Sequence, residues 1–360
     1  MHLRSSRAPL AFLLISFLIS TAAGQNTAPG DAFPPQVAQP KASPPPAAQQ
    51  EPANPPASPP KPAEEPTAQE APPPPEGESG FVFHTQVNEV VLHATVVDDK
   101  QRMVTNLDKT AFTILEDGKP QNIISFRHED IPVAMGIVID NSGSMREKRD
   151  KVNKAAINLV KSSNPQDEVF IVNFNDEYYL DQDFTADISK MREALEKVDT
   201  RGGTALYDAV VASAGHLKKN AKLEKRVLFV VTDGEDNESQ ESLEQAIRRL
   251  QEENGPTVYA IGLLGEEKQR RARKALQFMA EKTGGLAFFP KTLDEVDEIS
   301  RTVAHDIRNQ YTIGYKPTNP KSSGGYRAIK VDARAKGYGK LTVRTKSGYY
   351  AGQERAEANR

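Results

Sequence analysis

Cysteine is missing from all 360 residues. Its absence excludes disulfides, zinc–thiolate sites, thiol catalysis and attachment through a lipobox cysteine. A large net charge is missing too: 46 Lys and Arg stand against 49 Asp and Glu, a net of −3. That balance argues against a chain that binds nucleic acid in bulk. The signatures of common catalysts are also lacking. There is no G-x-S-x-G nucleophile turn, no P-loop and no G-x-G-x-x-G after a strand. Six histidines are present, and none falls in the polar loops singled out below. A metal-assisted hydrolase needs a general base close to its metal-bound water. The chain is therefore expected not to be an enzyme.

What is present begins with a secretory pattern. Arg4 and Arg7 precede an apolar run from Ala8 to Ala23, and Ala22, Ala23 and Gly24 supply the small residues of a cleavage site. Residues 1–24 are expected to be a signal peptide, which puts the protein in the periplasm, in the cell envelope of a bacterium, or outside it. An uncleaved segment would be a membrane tether, but the run is shorter than the ~20 residues of a span. Residues 25–80 are rich in Pro, Ala, Gln and Glu and bury too little apolar surface to fold. They read as a disordered, stiff spacer reaching at most roughly 170 Å, at ~3.1 Å per residue. Residues 352–360 read as a disordered tail.

Between these ends the pattern changes twice. Residues 81–131 carry strand-like runs, Val87–Val97, Phe112–Leu115 and Ile123–Phe126, with Asp98-Asp99-Lys100 and Glu116-Asp117-Gly118 as turns. Residues 132–309 alternate strands with amphipathic helices. The strands are Val133–Ile139, Val169–Phe174, Val227–Thr232, Val258–Leu264 and Leu286–Phe289, with Tyr178–Phe184 as an extra edge strand. Helical spacing runs through Val152–Val160, through Leu243–Leu250 behind a Ser242–Gln245 capping box, and through Ala272–Ala280 up to Gly284-Gly285. Thr292 with Glu295 opens a last helix, Leu293 to Asn309. This is an α/β pattern with a doubly wound, mostly parallel sheet. Residues 310–351 return to strands at Tyr311–Tyr315, Tyr326–Ala333 and Leu341–Thr345. Neither flanking β piece can bury a core alone. They are expected to pair into one small antiparallel β-sandwich-like domain with the α/β domain inserted in it.

The chemistry lies at strand ends. Val133–Ile139 runs into Asp140-Asn141-Ser142-Gly143-Ser144, and Val227–Val231 runs into Thr232-Asp233-Gly234. A third polar loop, Thr200–Thr204, carries Gly202-Gly203 ahead of a helix beginning near Ala205. In a parallel sheet these loops share the carboxyl edge, where ligands of open α/β sheets bind. Asp140, Ser142, Ser144, Thr204 and Asp233 would then supply two carboxylates and three hydroxyls, hard ligands for Mg2+, Mn2+ or Ca2+. The plain alternative makes Asp140 a turn cap and Asp233-Gly234 an ordinary loop. Asp236 and Asn237 do not fit a calcium loop and are expected to be solvated or to lead into a helix.

The three pieces in this order resemble the von Willebrand factor type A domain and its metal-ion-dependent adhesion site. All five ligand positions are matched, by Asp140, Ser142, Ser144, Thr204 and Asp233. The resemblance covers about residues 132–309. It also extends, more loosely, to secreted bacterial proteins that have a Glu-Asp-Gly hairpin before such a domain and a Tyr-x-x-Gly-Tyr segment after it; here these are Glu116–Gly118 and Tyr311–Tyr315. It implies a binding module that captures a protein partner's Asp or Glu through the cation. It also implies a last helix able to shift with affinity, so that ion occupancy would couple to the β strand at Tyr311. A metal-dependent hydrolase of the cell envelope, or a scaffold merely stiffened by its metal, are the alternatives.

Overall fold

The computed structural model describes residues 89–264 and 269–352. The signal peptide, spacer and tail expected from the sequence lie outside the described residues.

Four strands open the described chain: β1 (Val90–Val97), β2 (Phe112–Glu116), β3 (Lys119–Gln121) and β4 (Ile123–Arg127). Then come β5 (Val133–Asp140), α1 (Arg149–Ser162), β6 (Glu168–Phe174), β7 (Tyr178–Thr185), α2 (Ile188–Glu196) and α3 (Leu206–Asn220). They are followed by β8 (Lys225–Thr232), α4 (Leu243–Leu250), β9 (Thr257–Gly262), α5 (Arg270–Thr283), β10 (Ala287–Phe288) and α6 (Glu295–Arg308). The last strands are β11 (Tyr311–Tyr315), β12 (Gly325–Ala333), β13 (Thr342–Arg344) and β14 (Gly348–Ala351).

The central sheet has the order β10-β9-β8-β5-β6-β7. Every pairing is parallel except that of β7, an antiparallel edge strand on β6. All eight residues of β5 are buried, which explains its unbroken apolar sequence. Met135, Ile137 and Ile139 face one way and pack with Val152 of α1, Met191 of α2 and Val303 of α6. Ala134 and Val138 face the other way, with Leu206 of α3, Ile247 of α4 and Leu276 of α5. Gly136 has no room for a side chain: a Cβ there would lie 2.6 Å from Leu228 Cδ2 and would run into the Phe170 ring.

The flanking strands form two antiparallel sheets, β13-β1-β11-β4 and β14-β12-β2-β3. Each mixes strands from both sides of the α/β segment. Leu92 pairs with Ile313 in one sheet and Ile114 with Val331 in the other. Their inner residues, among them Leu92, Ile114, Tyr311 and Tyr315, make a separate core. The α/β fold inserted in a sandwich, expected from the two orphan β pieces, is the fold observed. The β2–β3 turn is Asp117-Gly118 with φ of 49° and 77°, the pair of positive values a two-residue hairpin favours.

Some boundaries differ. The last helix starts at Glu295 rather than Leu293 and ends at Arg308. The strand expected over Leu286–Phe289 is only Ala287–Phe288. Helix α2 and strands β3 and β14 were not expected at all.

The two parts meet along a polar seam. Gln251, just past α4, donates through Nε2 to Ser347 Oγ (3.1 Å) and accepts Tyr350 N at its carbonyl (2.8 Å). Tyr259 of β9 donates to Asp306 Oδ2 of α6 (2.7 Å), and Arg344 of β13 donates to Asp306 Oδ1 (2.8 Å).

Candidate metal centre

Strand β5 surfaces at Asp140, whose side chain remains fully buried. Asn141 N bonds Phe174 O of the neighbouring strand (2.6 Å). The chain then turns through a 3-10 segment, Gly143–Met145. Asp140 Oδ1 accepts Ser142 N at 2.8 Å, and Oδ2 accepts the Thr232 hydroxyl at 2.6 Å. Burial pushes the Asp140 carboxyl above its usual range, against the pull of those hydrogen bonds; Asp233 adds a smaller upward push. A buried carboxylate in this position is stabilised by a nearby cation.

Strand β8 ends one position away, in the same parallel register, and delivers Asp233. Its Oδ1 accepts Ser144 Oγ at 2.7 Å, and Ser144 Oγ lies 3.1 Å from Ser142 Oγ. The ammonium of Lys148 pairs with Asp233 Oδ2. Thr204 comes from the loop before α3. A Cβ built on Gly234 would sit 3.3 Å from Thr204 Oγ1, so that hydroxyl lies directly beside the residue after Asp233. The first and third loops are tied together, since Gly143 N donates to Gly202 O (3.3 Å) and Arg201 N to Asn141 O (3.0 Å). Gly202 has φ of 72°, a left-handed backbone that suits glycine.

The five residues singled out from sequence are thus gathered at the carboxyl edge. Asp140, Ser142, Ser144 and Asp233 are linked by hydrogen bonds among themselves and with Thr232, and Thr204 adjoins Gly234. Oxygens held ~2.1 Å from a cation at right angles are about 3.0 Å apart. The spacings of 2.7 and 3.1 Å along Asp233–Ser144–Ser142 match that edge length. The donor set fits a hard divalent cation. Among the described residues no three His, Asp or Glu side chains converge as a metal-binding group; this site offers two carboxylates, with hydroxyls for the rest.

Several contributors escaped the sequence reading. Thr232 clamps Asp140, and Lys148 pairs with Asp233. Asp236 and Asn237, expected to be solvated or a helix lead-in, instead brace the Thr204 loop. Asn237 Oδ1 accepts Thr204 N (2.8 Å), Asn237 N donates to Thr204 O (3.0 Å), and Asp236 Oδ2 accepts Tyr207 N at the start of α3 (2.9 Å). Asp176 accepts Gly203 N from the far side. None of these pairings has a local signature, because the partners lie 27 to 92 residues apart.

Residues 135–235 match the family model of the von Willebrand factor type A domain. Over that stretch the chain is similar to von Willebrand factor type A domains. No curated protein sequence matches it. Among solved structures it is similar to a von Willebrand factor type A protein from Catenulispora acidiphila, at 14% identity over 77% of this chain and 78% of that one, with a TM-score of 0.44. It is similar to the vWF domain of the type V pili tip protein Mfa5 from Porphyromonas gingivalis, at 12% identity over 50% and 97% of the two chains, TM-score 0.41. It is also similar to the PilB minor pilin from Streptococcus sanguinis, at 13% identity over 51% of this chain, TM-score 0.42; the match spans 62% of the pilin's length. Among the described residues no helix is long and apolar enough to cross a membrane.

Proposed function

We propose that the carboxyl edge of the central sheet is a metal-ion-dependent adhesion site. Asp140, Ser142, Ser144, Thr204 and Asp233 would hold a divalent cation, Mg2+ by preference, and the protein would capture a partner that offers an Asp or Glu carboxylate. The observation that carries this reading is the Asp233–Ser144–Ser142 oxygen row at octahedral edge spacing beside the buried Asp140. When bound, the cation would supply a Lewis-acidic site for the partner's carboxylate. The chain's own residues set how strongly. Hydroxyls in place of acids keep the ligand charge low, so positive charge remains for the partner to neutralise. Thr232 and Ser142 N fix the Asp140 carboxylate in one orientation, and Asn237 and Asp176 hold the third loop against the other two.

Binding, rather than turnover, is the proposed role, in the envelope or outside the cell. The family match supports an interaction module, and type A domains commonly serve as one. The test is capture from envelope extract on immobilised protein, in Mg2+ and in chelator. A partner retained in Mg2+, and lost in chelator and in Asp140→Ala, is the expected result. Equal capture in chelator would make any ion purely structural. Turnover of an envelope substrate that disappears in Asp140→Ala would replace the reading with hydrolysis.

A further inference from the structure

Helix α5 begins on the same edge as the metal centre. Strand β9 lies beside β8, and Gly262 is the register partner of Thr232, the residue before Asp233. A Cβ on Gly262 would lie 3.0 Å from Leu276 Cδ1 of α5, so Leu276 is level with the end of the sheet. The helix runs back against the strands, since Thr283 at its far end accepts Val258 N, near the start of β9 (2.9 Å). Residues 270–275 therefore stand beyond the carboxyl edge, by up to roughly 9 Å at ~1.5 Å per residue. Arg270, Arg271, Arg273 and Lys274 among them are exposed, and the first turn holds no acid.

A groove of about 570 Å³ runs along this helix, within the ~300–1,000 Å³ of clefts that hold ligands. Arg271, Lys274, Phe278 and Glu281 of α5 form one wall, recurring every three or four residues on a single helix face. Tyr207 of α3 and Leu243 of α4 form the other, both half-buried against the core. Phe278 is 41% exposed; among the described residues only Ile124 and Tyr326 join it as exposed large apolar side chains. An apolar surface left open inside a polar-rimmed groove marks an interaction site. Charge divides the groove. Cations stand on the α5 wall, with Glu281 at its far end, while Glu235 and Glu244 lie within electrostatic reach of the Tyr207 phenol on the other. Tyr207 also joins the groove to the metal loops. Its N donates to Asp236 Oδ2 (2.9 Å), and it stands three residues after Thr204, a reach of at most ~11 Å. An extended segment covers that distance in three or four residues.

We propose, on the reading of the carboxyl edge as an adhesion site, that this groove takes a second contact from the partner held at the metal. The partner is an acidic segment. Its metal-bound Asp or Glu is followed three or four residues on by an aromatic side chain, which enters the groove beside Phe278. Further acids then lie against Arg271 and Lys274. A buried aromatic anchor carries most of the binding at such a contact, and the rim charges set orientation and on-rate.

The probe is the peptide acetyl-Asp-Gly-Gly-Phe-Glu-Glu with a C-terminal fluorescein, followed by anisotropy on the full chain in Mg2+, with calorimetry of Mg2+ alone alongside. Saturable binding that disappears in chelator is expected. Alanine for the peptide's Phe, and Phe278→Ser in the chain, should each weaken it at least tenfold, while Phe278→Ser binds Mg2+ as the parent does. Two Lys in place of the peptide's Glu pair should weaken it similarly, and Arg271→Glu with Lys274→Glu should restore it. Phe278, Arg271 and Lys274 are exposed, so these variants leave the core intact. A peptide held through its Asp but indifferent to Phe278→Ser and to the charge reversal would overturn the groove alone, as would a parent that binds Mg2+ and no peptide. A parent that gives no heat with Mg2+ would remove the adhesion site, and the groove's role with it. A dimer of the parent that Phe278→Ser dissociates would give the groove to a second copy. Tighter peptide binding after deletion of residues 25–80 would give it to the chain's own proline-rich segment. Either result would overturn the assignment.

Discussion

Replacing Lys148 by Met tests the metal centre through a residue that is not one of its ligands. The Lys148 ammonium pairs with Asp233 Oδ2, and its side chain is 29% exposed while that of Asp233 is 0% exposed. A cation that takes this oxygen must compete with the ammonium, which can swing towards solvent. The cost of parting them is that of a charge-assisted hydrogen bond, about 1.5–3 kcal/mol. Removing the competitor should therefore tighten Mg2+ binding by roughly 10- to 100-fold. The same change strands a buried carboxylate when no metal is supplied. In chelator Lys148→Met should lose about 3 kcal/mol of stability, the low end for breaking a buried pair, and Mg2+ should restore most of it. Titration calorimetry gives the affinity, and urea unfolding in chelator and in Mg2+ gives the stabilities. The reasoning is refuted if Lys148→Met binds Mg2+ no more tightly than the parent, or if its stability deficit is the same in both buffers.

Asp167 offers a pH test. Burial raises its carboxyl from 3.8 to about 6, although Val133 N and Asn164 N donate to it at 2.8 and 3.1 Å. Between those values the folded protein binds the extra proton, so this group makes stability fall as pH rises from about 4 to 6, by up to about 3 kcal/mol. Asp167→Asn should flatten that limb in urea unfolding at pH 4, 5 and 6; a slope unchanged from the parent's would sink the argument. In the sandwich, Glu116 accepts Arg327 at 3.0 Å, Tyr315 at 2.5 Å and Tyr349 at 3.1 Å, all buried. Glu116→Ala strands the Arg327 charge and should cost about 3–5 kcal/mol, and a loss below 1 kcal/mol in the same assay would contradict it. If ion occupancy reaches the sandwich through α6, hydrogen exchange in residues 293–315 should change on adding Mg2+, and unchanged protection would exclude the coupling.

The sequence made the centre of the fold legible because its strands are buried on both faces. Val133–Ile139 and Val227–Val231 are unbroken apolar runs, and the acid after each marks where the strand leaves the core. The capping box at Ser242 and Gln245 and the left-handed Gly284 were readable for the same reason, since each is a local device with its own residues. Helix α3 gave no amphipathic stripe because Leu206 and Ala209 through Leu217 are buried nearly all round except at Val211. In α2 only Met191, Ala194 and Leu195 are buried, too few to set a period. Strands β3 and β14 are three and four residues long and exist through pairing with distant partners. At the candidate site, the five residues could be read from motif spacing. Lys148, Thr232 and Asn237 could not, because what matters about them is the residue they meet across a loop.

One physical constraint places the candidate metal centre. A strand buried on both faces cannot carry charge in its middle, so its chemistry is confined to its ends. β8 shows this within eight residues: Lys225 and Arg226 at one end, five buried apolar residues between, and Thr232 leading to Asp233 at the other. Strands in parallel share direction, so like ends collect along like edges, and Asp140 after β5 and Asp233 after β8 meet at the carboxyl edge. An inserted fold can cover only one of them with its host. Here the sandwich covers the amino edge, where Lys225 is tied to the Ile307 carbonyl of α6. The carboxyl edge is left to solvent, with hydroxyls and two acids spaced for a hard cation, and it is the edge to which a macromolecule has access.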